Sequence, residues 1–558
     1  MSGRVRIRSL GSSRSWCRPG TSASIEVGLW ATAASLVQVE LVLLDGRHVV
    51  DEVTAAWRLP SGSSKRSAVL HLPRSPRRGY GLRLFVTWPG GGTIGHGAVE
   101  ALDGWWQSPR HAAVTTFRSP RRTAAAVRAL RDWHVTVVQL YDWMYRHYRY
   151  SPPSGSSFTD TLGQRVSHEA VRSGVKAGHK VGIASLAYGS VYGAERDYVD
   201  AHPNERVFDA AGAPLSLGET FYITDLRQGS PWRARLMREY ASATRRFGFD
   251  GIHMDTYGPP HHAIAADGEA IDFAALYPGL IDEGAAVVDG VRPGARVLFN
   301  CVEGFPLENV ASAPAAALYL ELWPPDVAYA DLVRWIDLAR TVSEGRAVVI
   351  AAYVSAFRTF EADTSRRSGA VEAAVLLTTL IAAAGAYHHV LAEGDRLLVE
   401  GYYPEARPLR RKERDLLRSA WSFTARYVHL LSDPGLVKAA LDPQELTLLD
   451  AAGDRIPLSV TPVAGAVWVR ASVAPDGSRV VHLVDLMEQT DDRWDAVRQP
   501  SPRRTGWRLT TAAGTGCIAM SPWTDGGAAR DVVAGRLPSF RRWLVVADTG
   551  GGVSCGGI

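Results

Sequence analysis

The stretch GFDGIHMDTYG (248–258) holds two aspartates, Asp250 and Asp255, and the run LYLELWP (318–324) holds Glu321, sixty-six residues beyond Asp255. A pair of carboxyls can divide labour. One, ionised, attacks or stabilises an electron-poor carbon; the other, protonated, gives its proton to a leaving oxygen. Other polar and aromatic side chains stand in comparable places: Tyr141, Asp142, Trp143 and His147 in the segment YDWMYRH, then Tyr188, His253, Tyr257, Asn300, Trp323 and Tyr353. A single aspartate at a strand end is more often a helix cap or a salt-bridge partner. The pair therefore has to be judged by the elements that position it.

From about 110 to 430 short apolar runs alternate with helical stretches. The runs are AAVTTF (112–117), VTVVQLY (135–141), VGIASLAY (181–188), GIHMD (251–255), RVLFNCV (296–302), ALYLELW (317–323), AVVIAAY (347–353) and YHHVLA (387–392). SPRRTAAAVRALRDW (119–133) and SPWRARLMREYASATRRF (230–247) each open with Ser-Pro, a helix-start signal. Eight such units predict a (β/α)8 barrel over 106–430. Residues 1–105 read as antiparallel strands broken by Gly, Pro and Ser clusters, which predicts an immunoglobulin-like β-sandwich. The strand pattern returns over 431–558 and predicts a second β-sandwich, with the tail GGGVSCGGI expected to be disordered.

In a barrel of this kind catalytic groups sit at the C-terminal strand ends, and the opposite end serves stability. Asp255 closes the fourth strand and Glu321 the sixth, whereas Asp250 precedes the fourth. Strand alternation sends Gly251, His253 and Asp255 one way and Ile252 and Met254 the other. The apolar pair suits the outer helices, so His253 and Asp255 are expected to point inward, as are Tyr319, Glu321 and Trp323 on the sixth strand. Two carboxyls facing each other across a barrel mouth suit glycoside hydrolysis.

The segments VVQLYDWMYRHY (137–148), DTLGQRVS (160–167), ASLAYGSVYGA (184–194), GFDGIHMDTYG, LYLELWP and VVIAAY (348–353) together resemble glycoside hydrolase family 66, the dextranases and cycloisomaltooligosaccharide glucanotransferases. The resemblance implies Asp255 as nucleophile and Glu321 as acid/base in retaining hydrolysis of α-1,6 links in dextran or isomaltooligosaccharides, without a metal or other cofactor. It makes Tyr141, Asp142, Trp143, His147, Tyr188, His253, Tyr257, Asn300, Trp323 and Tyr353 the substrate-binding candidates. Dextranases carry a Trp-Gln-Gly-like stretch where this chain has Ile252, His253 and Met254. The cyclising members carry a carbohydrate-binding insertion after the acid/base segment, and the barrel needs the residues between Glu321 and 430, which argues against cyclisation. Two other readings stand beside hydrolysis: a transglycosylase of the same fold, and a non-catalytic α-glucan-binding protein.

Composition narrows the classes further. The 558 residues are 46% apolar and 21% charged, with a net charge of +5 and no basic stripe, which argues against nucleic acid as the partner. The most apolar run, AAVLLTTLIAAAGA (373–386), is too short to span a bilayer and is expected to be a buried helix. No apolar run follows Arg4, Arg6 and Arg8, so the chain as it stands reads as cytoplasmic, with secretion open if a leader has been removed. The four cysteines at 17, 301, 517 and 555 show no metal spacing, and no disulfide framework is expected.

Overall fold

The computed structural model describes residues 4–358, 364–441, 446–511 and 517–548. The tail GGGVSCGGI lies outside them. At the N-terminal end two antiparallel sheets face each other. One contains Val5–Ser12, Ser22–Ala31 and Gly62–His71; the other contains Ser35–Asp45, His48–Leu59, Arg78–Trp88 and Gly91–Ala101. Alternate residues such as Ile25, Val27 and Leu29 on one sheet and Tyr80, Leu82 and Leu84 on the other fill the space between them. Period-two burial of this kind is what an antiparallel pair with one wet face requires.

The centre of the molecule is a curled, largely parallel sheet. Its strands are β1 (His111–Val114), β2 (Val137–Leu140), β3 (Ala184–Ser190), β4 (Gly251–Asp255), β5 (Arg296–Val302), β6 (Ala315–Glu321), β7 (Val348–Ala351), β8 (Tyr387–His389) and β9 (Leu391–Ala392). Neighbours from β1 to β8 pair in parallel, one after the next. β9 pairs in parallel with β1, so the sheet returns to its first strand. The run YHHVLA, expected as one strand, is thus two short ones, its first half bonded to β7 and its second to β1. The result is a barrel-like core.

Helices cover the outside: α1 (Pro120–Ala129), α2 (His168–Val181), α3 (Pro231–Phe247), α4 (Phe273–Val291), α5 (Tyr329–Val342), α6 (Thr364–Ala383) and α7 (Arg411–Arg426). Both Ser-Pro starts are helix starts, but only Ser230 caps with its side chain, accepting from the Arg233 N–H, while Ser119 makes no such bond. The apolar run at 373–386 falls mostly within α6 and is buried. Among the described residues between Glu321 and β8 the chain passes through α5, β7, a short 3-10 turn (Ser355–Phe357) and α6.

β4 shows why the sheet forms as it does. Ile252 and Met254 face outward into the core under the helices, where Met254 Sδ packs against Gly284 of α4. Gly251 has φ +151°, and a Cβ there would lie 1.6 Å from the Arg296 carbonyl oxygen, so close pairing with β5 needs glycine. Just before the strand, Asp250 accepts from the Ser185 N–H at 2.8 Å and from Arg292 at 2.9 Å, and meets His179 Nε2 at 2.7 Å. Its peptide joins Ser185 on one side and Arg296 on the other.

The C-terminal part is again sheet, built from Val437–Ala439, Leu458–Ser459, Val467–Val473, Arg479–Asp485, Cys517–Met520, Arg530–Asp531 and Trp543–Asp548, with Leu446–Leu449 and Arg508–Thr511 forming a separate pair. Cys17 and Cys301 are buried free thiols, while Cys517 is disulfide-bonded, a single bond where no disulfide framework was expected. Among the described residues no helix is long and apolar enough to cross a membrane.

Candidate active site

The C-terminal ends of the central strands open into a cleft of about 500 Å³. Asp255, the last residue of β4, and Glu321, the last of β6, both line it. Asn300 of β5, the strand between them, holds the two together. Its Nδ2 donates one hydrogen to Asp255 Oδ1 and the other to Glu321 Oε2, each at 2.7 Å. Those two oxygens therefore lie within twice that distance of each other. Tyr353, just past β7, donates its hydroxyl to the other Glu321 oxygen, Oε1, at 2.6 Å. The Tyr188 hydroxyl is a further donor toward Asp255.

Burial pushes both carboxyls above the ordinary carboxylate range. For Asp255 the nearby charge of Glu321 adds to that push; for Glu321 the donors Tyr353, Asn300 and Trp323 oppose it without cancelling it. Like charges this close cannot both ionise freely, so the pair shares its protons and keeps one into the neutral range. Such a pair can present one ionised and one protonated carboxyl at the same time.

The cleft wall opposite is built from β2 and the loop after it. Tyr141 and Asp142 line it, and Asp142 sits at φ +47°, with a buried carboxyl whose Oδ2 has no partner. Burial pushes this carboxyl up to about 7, against the pull of His147. His147 also lines the cleft, fixed by Glu195, whose Oε1 lies 3.0 Å from both the His147 N–H nitrogen and Nδ1. Thr161 donates to the same oxygen at 2.6 Å. Burial opposes ionisation of Glu195, yet its bonds from His147 and Thr161 prevail and hold it near 2. Burial likewise disfavours imidazolium at His147, but Glu195 and the neighbouring Asp142 and Asp160 raise it nonetheless.

Of the residues singled out in the sequence, Tyr141, Asp142, His147, Tyr188, Asp255, Tyr257, Glu321 and Trp323 meet around one cleft. Asn300 and Tyr353 belong to the site in another way than expected, through the carboxyls rather than the cleft wall. Two are placed elsewhere. Trp143, next to Asp142, is fully buried between Phe247 and Phe249, with Nε1 donating to the Tyr188 carbonyl, so it braces the strands from outside. His253 does point inward, but one layer below the cleft, 1% exposed and edge-on to Tyr319. One residue pair along the strand is enough to carry it beneath the floor. Burial keeps its imidazole neutral. Sequence reasoning passed over Glu195, which lies just past the segment 184–194, because nothing local marks it as the partner of a histidine 48 residues earlier. It also passed over Phe221 and Leu217, which reach the cleft from a hairpin between β3 and α3. Among the described residues no cluster of His, Cys, Asp and Glu could hold a metal ion.

Comparison with known proteins gives these features a context. The family model for glycosyl hydrolase family 66 matches residues 14–511. Two cycloisomaltooligosaccharide glucanotransferases of Niallia circulans are similar in sequence, one 23% identical over 60% of this chain and 37% of its own length, the other 25% identical over 47% and 30%. The chain thus spans about a third of the length of these curated relatives. A crystal structure of a cycloisomaltooligosaccharide glucanotransferase from Paenibacillus sp., complexed with cycloisomaltoheptaose, superposes with a TM-score of 0.88 at 19% identity, covering 98% of this chain and 100% of that one. The likeness to that structure is one of fold. Since the family model covers most of the chain, from the first sheets through the carboxyl pair and into the C-terminal strands, the protein belongs to glycosyl hydrolase family 66.

Proposed function

We propose that this protein is a retaining glycosidase that cleaves α-1,6-glucosidic links of dextran or isomaltooligosaccharides, with Asp255 as nucleophile and Glu321 as acid/base. The observation that carries the reading is the Asn300 bridge. Two carboxyl oxygens each 2.7 Å from one nitrogen lie within twice that distance of each other, which supports the ~5–5.5 Å spacing of retaining sites over the ~6.5–9.5 Å of inverting ones. The central domain is in this view a (β/α)8 barrel, bounded near residues 105 and 430 by the two sheet domains.

Chemistry follows in two steps. The ionised Asp255 attacks the anomeric carbon as the glycosidic C–O bond breaks, and Glu321 gives its proton to the departing oxygen. Glu321, now a carboxylate, takes a proton from water; the water oxygen bonds to the anomeric carbon and the Asp255 ester bond breaks. The raised proton affinity of the pair supports the first step, and the donors on Glu321 support the second. Tyr141, Tyr188, Tyr257 and Trp323 offer ring faces to sugar, and Asp142 lines the cleft beside them.

The relatives' names favour a second reading, transfer to a sugar acceptor in place of water. The glucanotransferase from Paenibacillus sp. was solved with a cyclic isomaltooligosaccharide, which supports an α-1,6-linked ligand for either reading. Product analysis on dextran, isomaltooligosaccharides and starch separates the cases. Shorter linear products from the first two support hydrolysis, while longer or cyclic products at high substrate concentration support transfer. Binding without turnover of any of the three would overturn the enzymatic reading in favour of a glucan-binding protein.

A further inference from the structure

Below Glu321 the interior holds a line of three phenols and an imidazole. Tyr353 Oη, bonded to Glu321 Oε1 at 2.6 Å, meets Tyr403 Oη at 3.0 Å. Tyr403 Oη lies 3.4 Å from Tyr319 Oη, the loosest link, and Tyr319 Oη lies 2.7 Å from His389 Nδ1. The four side chains come from β6, β8, the turn after β7 and the segment Tyr403–Glu405, and none is more than 4% exposed. The line starts at a carboxyl and ends at a ring whose other nitrogen, Nε2, has no partner. That ring stacks on His111 at 4.4 Å.

The orphaned Nε2 sets the direction. A buried N–H without an acceptor is rarer and costlier than a buried lone pair without a donor. The proton of His389 therefore belongs on Nδ1, where it is donated to Tyr319. Each phenol has one hydrogen to give. Tyr319, accepting from His389, donates to Tyr403, Tyr403 to Tyr353, and Tyr353 to Glu321. All four bonds point at the carboxyl, and bonds in such a series polarise one another. Around Glu321 the other ionisable neighbours are Asp255 and Glu303, which both oppose its ionisation by repulsion. Around His389 they are His111, His253 and His388, all held neutral by burial. Among the described residues no cation is a neighbour that favours the Glu321 carboxylate, so its stabilisation falls to the donors Asn300 and Trp323 and to the hydroxyl series, which alone reaches Oε1.

We infer that His389, Tyr319 and Tyr403 are positioning residues which, through Tyr353, stabilise the ionised form of Glu321 that must accept a proton from water in the second step. This rests on Glu321 being the acid/base. Cutting the series makes Glu321 hold its proton more tightly. The first step, which needs that proton, then persists to higher pH, while the second step slows.

The test is the pH profile of dextran hydrolysis by Tyr319→Phe, Tyr403→Phe and His389→Leu, alongside Glu321→Gln. The basic limb of kcat/KM is expected to move up by roughly half a pH unit in each of the three, with kcat near neutrality falling roughly threefold to tenfold and KM falling with it. His389→Asn, whose amide can donate from near the Nδ1 position, is expected to restore the wild-type limb. Having three cuts at different points keeps the test alive should one variant fail to fold. If the folded variants lose rate with the limb unmoved, the residues only pack and the inference is overturned. If Glu321→Gln retains wild-type activity, the acid/base assignment itself falls.

Discussion

At the start of β4, Asp250 has both carboxylate oxygens occupied, by the Ser185 N–H, Arg292 and His179, and its backbone ties β4 to both neighbouring strands. At the end of the same strand, five residues on, Asp255 faces a second carboxyl across one shared amide and is pushed toward holding a proton. The residue type is the same; the surroundings differ in sign. At one end the carboxylate oxygens are taken up by hydrogen bonds and an ion pair, and at the other burial with a like charge disfavours ionisation. One end holds strands together, and the other keeps a proton affinity that the native state would lose stability to maintain. The proposed nucleophile and the strand-tying aspartate are separated along this strand by less than 20 Å of backbone, at ~3.3 Å per residue.

That contrast can be broken at several points. The largest effect is expected from Asp255→Ala and Glu321→Gln, each of which lowers kcat/KM on dextran by at least about 10³-fold with the circular dichroism spectrum unchanged. Gly251→Ala should be the most damaging to folding, costing about 3 kcal/mol or more in a denaturant titration, because its Cβ meets the Arg296 carbonyl at 1.6 Å. Asp250→Ala is expected to cost about 2 kcal/mol while activity per folded molecule stays at the wild-type level, since it strands Arg292 and the Ser185 N–H.

Smaller effects concern pH and sharpen the same comparison. Asp255 and Glu321 are both raised, so the native pair keeps a proton that the unfolded chain releases. Its contribution is full below the unfolded value near ~3.9 and is lost as pH rises through the folded one. Asp255→Asn should therefore raise the Tm, by about 2–4 °C at pH 8 and not at pH 4, while Asp250→Asn lowers it at both. Glu195 is the opposite case. Its folded value near 2 lies below the unfolded one, so its stabilisation is present above about pH 4.5 and is lost as pH falls toward 2. Glu195→Gln should flatten the acid side of the Tm-against-pH curve; a curve unchanged from wild type would show that the His147 pair contributes nothing.

How much of this was legible in the sequence follows from the range of each interaction. β4 and β5 begin and end where the apolar runs do, because their boundaries depend on strand alternation and on Gly251, both local. The inward direction of His253 was legible for the same reason, but its depth was not. Depth depends on how far β4 rises beside β6, which is set by pairing through β5, and that pairing carries a register shift between Val297 and Phe299. Asn300 was found as a strand-end polar residue but assigned to the sugar, since its role arises only when β4 and β6 are brought to either side of it. Trp143 misled because an aromatic beside a cleft residue reads as a sugar platform, whereas Asp142 turns through the left-handed region and leaves its neighbour under α3. The Tyr353–Tyr403–Tyr319–His389 series had no local signal; its members come from four separate segments.

The central claim is that Asp255, not Asp250 or Asp142, forms the bond to sugar. It is tested most directly by incubating the protein with an activated fluorosugar that stalls the second step, then digesting it and mapping the mass increment. The account predicts one glycosyl unit per chain, carried on the peptide containing Asp255, with none formed in Asp255→Ala. A label on a peptide lacking Asp255, or labelling that persists in Asp255→Ala, would contradict it.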